Sequence, residues 1–311
     1  MELISLPSLG LGTSHLLHHD SKADALINLN LAFDLGIVYY DTAPIYGYGW
    51  SEKILGTFTK HKREKILIAT KIGLQPSRIL SALPFSALAG LGHLARNLRR
   101  HRSQGNPIGV RQYVSQSFDP GWATQSLESS LKRLNTDYVD VLLLHEATIK
   151  GANFPTTKKF MQDAVQSGKV RTIGIGSSLN RLVDVGELDP SYTVVQHEYD
   201  IMAHQPTIPG NRVVNTHGLL QNMIRIKSLA SHHALQIDIK RVCGLDISKE
   251  NDVLHFCLAG ARFEHTKGIS LFSSAKPQRI KNTIAAWNNL SIHDHSFQEA
   301  LALIRKQSLA L

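Results

Sequence analysis

Short apolar runs alternate along this chain with longer segments in which apolar residues recur every three or four positions. The runs are rich in β-branched and aromatic residues, which is typical of buried strands, whereas the longer spacing is typical of amphipathic helices. Strands are predicted near 9–13, 37–41, 66–71, 139–145, 171–176, 193–198, 212–216 and 268–273. Helices are predicted near 22–35, 51–60, 123–134, 157–168, 179–187, 219–232, 250–262, 277–288 and 296–309.

This alternation of strands and helices predicts a parallel sheet with helical crossovers. Eight strands over 311 residues suit a (β/α)8 TIM barrel, an α/β fold, as a single domain that spans residues 1–311. The runner-up is an open, doubly wound sheet, which normally carries a G-x-G-x-x-G turn after its first strand. Gly10 and Gly12 are followed by Thr13 and Ser14, and no third glycine completes that motif. The barrel is therefore the predicted fold.

The segment 74–118 interrupts the alternation of strands and helices after the third predicted strand. It contains no acidic residue, and all of its charged residues are arginines. Its first half is apolar but holds Pro84, Gly90 and Gly92, and it falls short of the roughly 20 apolar residues that a membrane span needs. Long loops inside compact domains are usually functional or disordered, so we expect a partly helical lid. A surface for a partner protein or acidic lipid, and a loop without a role, remain alternatives.

Composition and charge indicate which cellular compartment and which kind of partner to expect for this protein. The two cysteines, Cys243 and Cys257, suit neither a disulfide framework nor a metal cage, and the N-terminus lacks the pattern of a signal peptide. We therefore expect a cytoplasmic protein without stable membrane insertion. The net charge of +9 favours an anionic partner. Because lysine and arginine are spread along the whole chain, a phosphorylated cofactor is a better candidate than nucleic acid.

Residues able to hold or move a proton follow four of the predicted strands. Asp41 and then Tyr46 follow the second strand, Lys71 closes the third and His145 closes the fourth. The fifth strand ends on Ser177 and Ser178. Each residue has a structural alternative, such as a helix cap for the aspartate or a satisfied core position for the histidine. If the strands are parallel neighbours, however, these groups converge at one end of the barrel, as catalytic groups of such barrels do.

Several segments together resemble signature regions of the aldo-keto reductase family. They are DTAPIYGYGWSE at 41–52, ATK at 69–71, YVDVLLLH at 138–145 and SGKVRTIGIGSS at 167–178. The similarity extends through Val195-Gln196 to SSAKPQRIKN at 273–282 and leaves out the insert. The resemblance implies a (β/α)8 barrel that interconverts carbonyl compounds and alcohols with a nicotinamide dinucleotide and without metal.

The resemblance assigns the catalytic roles to Asp41, Tyr46, Lys71 and His145. Tyr46 would be the proton donor to the alkoxide that hydride transfer leaves. Lys71 would lower the pKa of Tyr46, and Asp41 would hold Lys71 charged and in place. His145 would hydrogen-bond the substrate oxygen and orient it.

The resemblance also assigns cofactor positions, some of which depart from the family pattern. Ser177, Ser178 and Gln196 would hold the nicotinamide carboxamide, although Ser178 stands where the family usually has asparagine. No aromatic residue follows the seventh predicted strand, 212–216, to stack on the nicotinamide. His217 either partly replaces such an aromatic residue or is a loop residue. After the eighth predicted strand, 268–273, Ser274 and Arg279 would contact the 2′-phosphate of NADP. Asn282 and Thr283 would contact the adenine. The remaining candidate contacts are Gly12, Thr13 and Asp41.

Because the arginine fork suits a phosphate, NADPH is the predicted cofactor in preference to NADH. No metal is expected, since the sixteen histidines include no H-x-x-x-H with a carboxylate on a helix. Tyr48 and Trp50 either line the substrate mouth or pack beneath the first loop. The predicted function is an NADP-dependent oxidoreductase, a monomer that interconverts a small carbonyl compound, an aldehyde or ketone, and an alcohol. Alternatives are an NAD-dependent sugar or alcohol dehydrogenase and a cofactor-sensing subunit that docks through 74–118.

Overall fold

The computed structural model describes residues 8–100, 113–265 and 267–308, with the backbone alone at 93–100 and 113–114. Arg102 and Arg111 of the predicted insert lie outside the described residues. The strands are β1 Ser8–Gly12, β2 Tyr39–Asp41, β3 Leu67–Ile72, β4 Leu74–Pro76, β5 Tyr113–Gln116, β6 Val139–His145, β7 Val170–Gly176, β8 Val194–Glu198, β9 Val213–His217 and β10 Ile269–Phe272.

Eight of these strands form a closed parallel barrel in the order β1, β10, β9, β8, β7, β6, β3, β2. Each barrel strand overlaps one of the eight predicted from sequence, so the (β/α)8 prediction is confirmed and the open sheet is wrong. The remaining strands, β4 and β5, pair antiparallel outside the barrel. Because all barrel strands run in the same direction, their carboxyl ends open at one face of the molecule.

The helices surround the barrel. They are α1 Lys22–Asp34, α2 Trp50–Phe58, α3 Arg78–Ala82, α4 Phe85–Arg100, α5 Pro120–Leu134, α6 Ile149–Ala152, α7 Pro155–Gln166, α8 Asn222–Ser228, α9 His233–Cys243, α10 Glu250–Glu264, α11 Pro277–Asn288 and α12 Asp294–Ser308. The helix predicted at 179–187 is wrong. Two short 3₁₀ turns stand there instead, and the left-handed backbone of Asp184, with φ 65°, separates them.

The predicted helix at 219–232 is only partly correct. α8 is flanked by 3₁₀ turns at Leu219–Gln221 and Leu229–Ser231, and the extended backbone of His232 ends the helical stretch. α9 then begins at His233 and was not predicted, although its buried Leu235 and Ile239 are four positions apart, the spacing of a helix face.

The barrel interior is filled by side chains that alternate with those facing the helices. In β6, Val141 and Leu143 point inward, while Leu142 and Leu144 pack against the helical layer. The interior cluster comprises Tyr39, Ala69, Val141, Leu143, Val194, Ile269 and Leu271. Asn215 adds one polar link, donating from Nδ2 to the Tyr39 hydroxyl at 2.9 Å. The barrel is thus a packed support rather than a pore, and its carboxyl face is left for the site.

The insert at 74–118 begins and ends with the β4/β5 pair, and α3 and α4 lie between, so it is partly helical as predicted. α4 packs against the 3₁₀ turn Leu16–His18, and α3 packs against the turn Tyr46–Gly49. No helix within the described part of the chain is long and apolar enough to cross a membrane. The insert therefore lies beside the carboxyl face, next to the loop that carries Tyr46.

Candidate active site

Adjacent strands place three of the four predicted catalytic residues at the carboxyl face. Asp41 ends β2 and lies in register with Gly12 of β1 and Ala69 of β3. Lys71, two residues on from Ala69, lies near the end of β3, and His145 ends the neighbouring β6. Tyr46 reaches the same place from the 3₁₀ turn that follows β2. Parallel strands therefore bring together groups that are up to about a hundred residues apart in sequence.

The Lys71 ammonium is the centre of this group. Its Nζ donates to Asp41 Oδ2 at 2.6 Å, to the Thr42 carbonyl at 3.0 Å and to the Tyr46 hydroxyl at 3.2 Å. An ammonium has three donors, so all of them are used. Burial acts to lower the pKa of Lys71, but Asp41 and Tyr46 outweigh it and raise that pKa. Lys71 is therefore a fixed cation, although its side chain is only 2% exposed.

The phenol of Tyr46 keeps its proton over the physiological pH range. Burial raises the pKa of Tyr46, Lys71 opposes this, and the net pKa lies above the ordinary value. As expected, Lys71 acts to lower the pKa of Tyr46. Burial raises that pKa by more, however, so the pKa of Tyr46 is raised and not lowered overall. Tyr46 thus carries a proton at physiological pH, and its conjugate base would face an ammonium at 3.2 Å.

The imidazole of His145 stands edge-on to Tyr46, with ring centroids 6.1 Å apart. Burial lowers the pKa of His145 well below its ordinary value, and the positive charge of Lys71 and the nearby His217 lower it further. His145 is therefore neutral at physiological pH. A neutral imidazole carries one N–H donor and one acceptor, which suits hydrogen bonding to a polarised oxygen without adding a charge.

Two cavities near the carboxyl face contain six of the predicted cofactor residues. One is lined by Gly12, Asp41, Tyr46 and Gln196, and the other by Arg279, Asn282 and Thr283. Leu220 lines both cavities, so they adjoin one another. A dinucleotide in extended form would need this kind of arrangement, with one end beside Tyr46 and the other beside Arg279.

Unpartnered polar atoms support a ligand at these positions. Among the described residues, buried side-chain atoms at predicted cofactor positions lack a hydrogen-bond partner: Thr13 Oγ1, Asp41 Oδ1, Gln196 Oε1 and Thr283 Oγ1. A buried polar atom without a partner costs about 1–3 kcal/mol, so such atoms are uncommon in the absence of a ligand. The residues present therefore fit a polar ligand that runs from Thr13 and Gln196 to Thr283.

The remaining predicted cofactor residues are bonded within the protein. Ser177 Oγ donates to the Ala147 carbonyl at 2.8 Å, and Ser178 Oγ donates to Glu146 Oε2 at 2.7 Å. Ser274 Oγ accepts from the backbone N–H of Lys276 at 3.1 Å. The hydroxyl oxygens of these serines can still accept a further hydrogen bond, but their protons are engaged.

Trp50 joins the barrel to the insert. Its Nε1 donates to the Leu83 carbonyl at 3.0 Å, and its ring packs edge-on against Phe85 at 6.0 Å. Lys22 and Lys53 place their ammonium groups 4.1 and 4.3 Å from the ring centroid. These contacts favour the packing role for Trp50 over a place in the substrate mouth. Tyr48 lies in the turn after Tyr46 with a left-handed backbone, φ 54°.

Sequence reasoning undervalued His217 and missed Glu146. His217 ends β9 and lines the same cavity as Tyr46 and Gln196, so it is part of the site rather than a remote loop residue. Glu146 follows His145 directly, and its carboxylate accepts a hydrogen bond from the Ser178 hydroxyl. A charged residue immediately after a predicted catalytic residue at a strand end was the available signal.

Comparison with known proteins finds aldo-keto reductases among both the curated relatives and the solved structures. D-threo-aldose 1-dehydrogenase of a Pseudomonas species is 32% identical over 201 residues, 60% of this chain and 56% of that protein. The aldo-keto reductase AMT2 of Alternaria alternata is 33% identical over 92% of this chain and 66% of its own. The chain spans about half the length of the first curated relatives that it matches.

A solved aldo-keto reductase of Klebsiella pneumoniae, in complex with NADPH, superimposes with a TM-score of 0.63. The match covers 96% of this chain and 92% of that one at 17% identity, which supports the fold alone. The model of the aldo/keto reductase family matches residues 8–220. With this match and the closed eight-stranded barrel, the chain belongs to the aldo/keto reductase family.

Proposed function

We propose that this protein is an NADPH-dependent reductase that converts an aldehyde or ketone to an alcohol, with Asp41, Tyr46, Lys71 and His145 as its catalytic residues. The observation that carries the proposal is the position of Lys71 Nζ, 2.6 Å from Asp41 Oδ2 and 3.2 Å from the Tyr46 hydroxyl, beside a cavity at the carboxyl face. That arrangement supplies a proton donor and a fixed cation at one point.

A nicotinamide cofactor held by residues such as Thr13, Gln196 and Arg279 would supply the hydride for the carbonyl carbon. The N–H of His145 hydrogen-bonds the carbonyl oxygen and orients it. Tyr46 transfers its hydroxyl proton to that oxygen as negative charge develops there, and the product is a neutral alcohol. The Lys71 ammonium stabilises the resulting phenolate, which then regains a proton from water. Asp41 keeps Lys71 charged inside a site where a lone ammonium would be costly.

The side chains around the second cavity favour NADPH. Arg279 lines it, and Lys276 lies exposed three residues earlier, so two cations stand near the predicted 2′-phosphate position. Glu250 lines the same cavity, but Lys227 lies 3.7 Å from its carboxylate and offsets its charge. A phosphate would therefore meet a net positive surface.

Arg279→Ala tests the cofactor preference. We expect the Kd for NADPH, measured by quenching of intrinsic fluorescence, to rise about 10- to 100-fold, the loss of one charge-assisted hydrogen bond. The Kd for NADH should change less than about threefold, because the two cofactors differ only in the phosphate. Arg241→Ala, which removes an exposed arginine on α9, is the control. Equal losses for both cofactors would make Arg279 structural.

The pH dependence of the two reaction directions tests the role of Tyr46. Reduction requires the phenol, whose pKa lies above its ordinary value, so kcat/KM for reduction should not titrate through Tyr46 below about pH 10. Oxidation requires the phenolate, whose fraction rises about tenfold per pH unit below the pKa. Steady-state rates in both directions measure this. Reduction that declines with an apparent pKa near about 8 would contradict the assignment.

An NAD-linked sugar dehydrogenase is the second candidate, because D-threo-aldose 1-dehydrogenase is among the relatives. The raised pKa of Tyr46 disfavours it at neutral pH, since oxidation needs the phenolate. A cofactor-sensing subunit would bind NADPH without turnover, so a panel of aldehydes, ketones and quinones separates it from an enzyme.

We further propose that the protein acts in the cytoplasm as a monomer on a small carbonyl compound, without nucleic acid or metal. Docking assays test the alternative of a protein partner that binds at 74–118.

A further inference from the structure

The two helices of the insert expose large apolar side chains to solvent. Ile79 of α3 is 79% exposed, and Leu91 of α4 is 53% exposed. Other residues of α4, namely Phe85, Leu88 and Ala89, are buried against the protein. α4 thus has one apolar side that holds it to the barrel and a further apolar residue that faces away from it.

The apolar positions on the exposed side continue along the sequence of α4. Leu94 and Leu98 follow Leu91 after three and seven residues, which is the spacing of one face of an α-helix. The helix spans 16 residues, so at 1.5 Å per residue it is about 24 Å long. Helices with an apolar stripe and a strongly basic remainder are typical of those that lie in the plane of a membrane surface.

The charge of the insert is positive along its whole length. Segment 74–118 contains no acidic residue, while α3 contains Arg78 and α4 contains Arg96, Arg99 and Arg100. Arg78 is exposed beside Ile79. Anionic lipid headgroups attract arginine and lysine near the membrane surface. A second copy of this chain fits less well as the partner, because it would bring the same positive charge to the contact.

The barrel adds two lysines next to the insert. Trp50 packs edge-on against Phe85 of α4 with ring centroids 6.0 Å apart. The ammonium groups of Lys22 and Lys53 lie 4.1 and 4.3 Å from the centroid of the same Trp50 ring, and both lysines are exposed. Asp24, in the first turn of α1 with Lys22, offsets part of this charge. The arginines of the insert therefore remain the main source of the positive charge.

We propose that the outer side of α3 and α4, here called the insert face, binds the surface of an anionic membrane. Ile79 and the leucines of α4 would enter the headgroup region, and the arginines would attract the anionic lipids. The binding is peripheral and reversible, since no helix in the described part of the chain can cross a membrane. Because α3 packs against the turn that carries Tyr46, the carboxyl face then lies beside the lipid. This inference does not depend on the proposed reductase function.

Cosedimentation of the full-length protein with lipid vesicles tests the proposal. We expect at least about tenfold tighter binding to phosphatidylcholine vesicles that contain about 30% phosphatidylserine than to vesicles of phosphatidylcholine alone. Raising NaCl from about 0.1 to about 0.5 M should weaken the binding about tenfold, because salt screens the attraction. The Kd for NADPH, measured without vesicles, checks that the barrel is intact.

Substitution of the apolar residues tests the insert face directly. Leu91→Ser should weaken binding to the phosphatidylserine vesicles about tenfold, because a leucine side chain is no longer transferred out of water. Ile79→Ser should have a similar effect. Ile237→Ser on α9 is the matched control, since Ile237 is 54% exposed and Leu91 53%. All three residues are exposed, so the thermal midpoint should not change.

Substitution of the arginines tests the charge. Arg78→Gln/Arg99→Gln should weaken binding to the phosphatidylserine vesicles about 25-fold, about fivefold for each basic residue, and should reduce the salt dependence. Lys240→Gln/Arg241→Gln removes two exposed cations of α9 and is the control. Its binding should change less than about twofold.

Three results would overturn the inference. Absence of binding to either kind of vesicle would refute a membrane partner and favour a protein partner at the insert. Equal binding to both kinds, or equal losses in the insert variants and the α9 controls, would show that the insert face does not recognise anionic lipid. A dimer in solution that Leu91→Ser dissociates would show that a second copy of the chain covers this face instead.

Discussion

Tyr46→Phe should lower kcat for carbonyl reduction by about 10³-fold while the Kd for NADPH changes less than about twofold. General acid catalysis contributes roughly 10²- to 10⁴-fold, and the change removes only the hydroxyl that carries the proton. The ring stays, so its edge-on contact with His145 at 6.1 Å and the shape of the cavity are preserved. Steady-state kinetics and a fluorescence titration on the same sample measure the two effects.

Tyr138→Phe is the control for this change. The Tyr138 hydroxyl lies at the opposite, amino-terminal end of β6, where it meets Glu64 at 3.5 Å. Its loss should leave both kcat and the Kd for NADPH unchanged. If Tyr46→Phe retained wild-type turnover, Tyr46 would not be the proton donor and the catalytic assignment would be wrong.

Asp41→Asn should both destabilise the protein and remove most of its activity. The change leaves the Lys71 ammonium 2% exposed without its counter-ion. Breaking one partner of a buried ion pair costs about 3–5 kcal/mol in the free energy of unfolding. The pKa of Lys71 should fall, because burial lowers it once Asp41 no longer opposes this. Turnover should then decline by at least about 10²-fold, since the phenolate loses its fixed cation.

The double variant Asp41→Asn/Lys71→Met separates stability from chemistry. Replacing a buried pair by neutral groups is often close to neutral in free energy, so stability should recover to within about 1 kcal/mol of wild type. Activity should stay lost, because no cation faces Tyr46. Denaturant unfolding and kinetics on the single and double variants measure this. Asp41→Asn would contradict this account if it lowered the free energy of unfolding by about 1 kcal/mol or less, the typical contribution of a surface ion pair. The buried pair of Asp41 and Lys71 would then not be a major source of stability.

The barrel could be predicted because its strands have a strong local signal. Runs such as the one at 138–145 are apolar without interruption, since both faces of a parallel strand are buried. The meeting of Asp41, Tyr46 and Lys71 followed from the same reasoning, because parallel strands share a carboxyl end. No contact between distant residues had to be known.

The features that sequence reasoning missed depend on tertiary contacts. The segment 179–187 has helix-like apolar spacing, yet a left-handed Asp184 and bonds such as Arg181 to Glu146 hold it as two turns. The pairing of Ser178 with Glu146 crosses 32 residues and has no periodic signature. The net pKa of Tyr46 was also out of reach, since the balance of burial against Lys71 depends on how deeply the ring is enclosed.

The insert was only partly predictable for a similar reason. Its apolar first half indicated helix, and α3 and α4 lie there. What fastens it to the barrel is Trp50, through Leu83 and Phe85, and Gln116, which bonds the carbonyls of His145 and Glu146. These contacts make the insert a support for the strand end that carries His145.

Deuterium transfer is the most direct test of the central claim. NADPH carrying deuterium at the transferred position of the nicotinamide is incubated with the protein and glyceraldehyde, propanal or a wider panel of aldehydes and ketones, and the alcohols are analysed by mass spectrometry. We predict one deuterium on the former carbonyl carbon in the wild-type reaction and a rate of labelling that falls about 10³-fold with Tyr46→Phe. NADPH that binds tightly while no carbonyl compound gains deuterium would contradict the account.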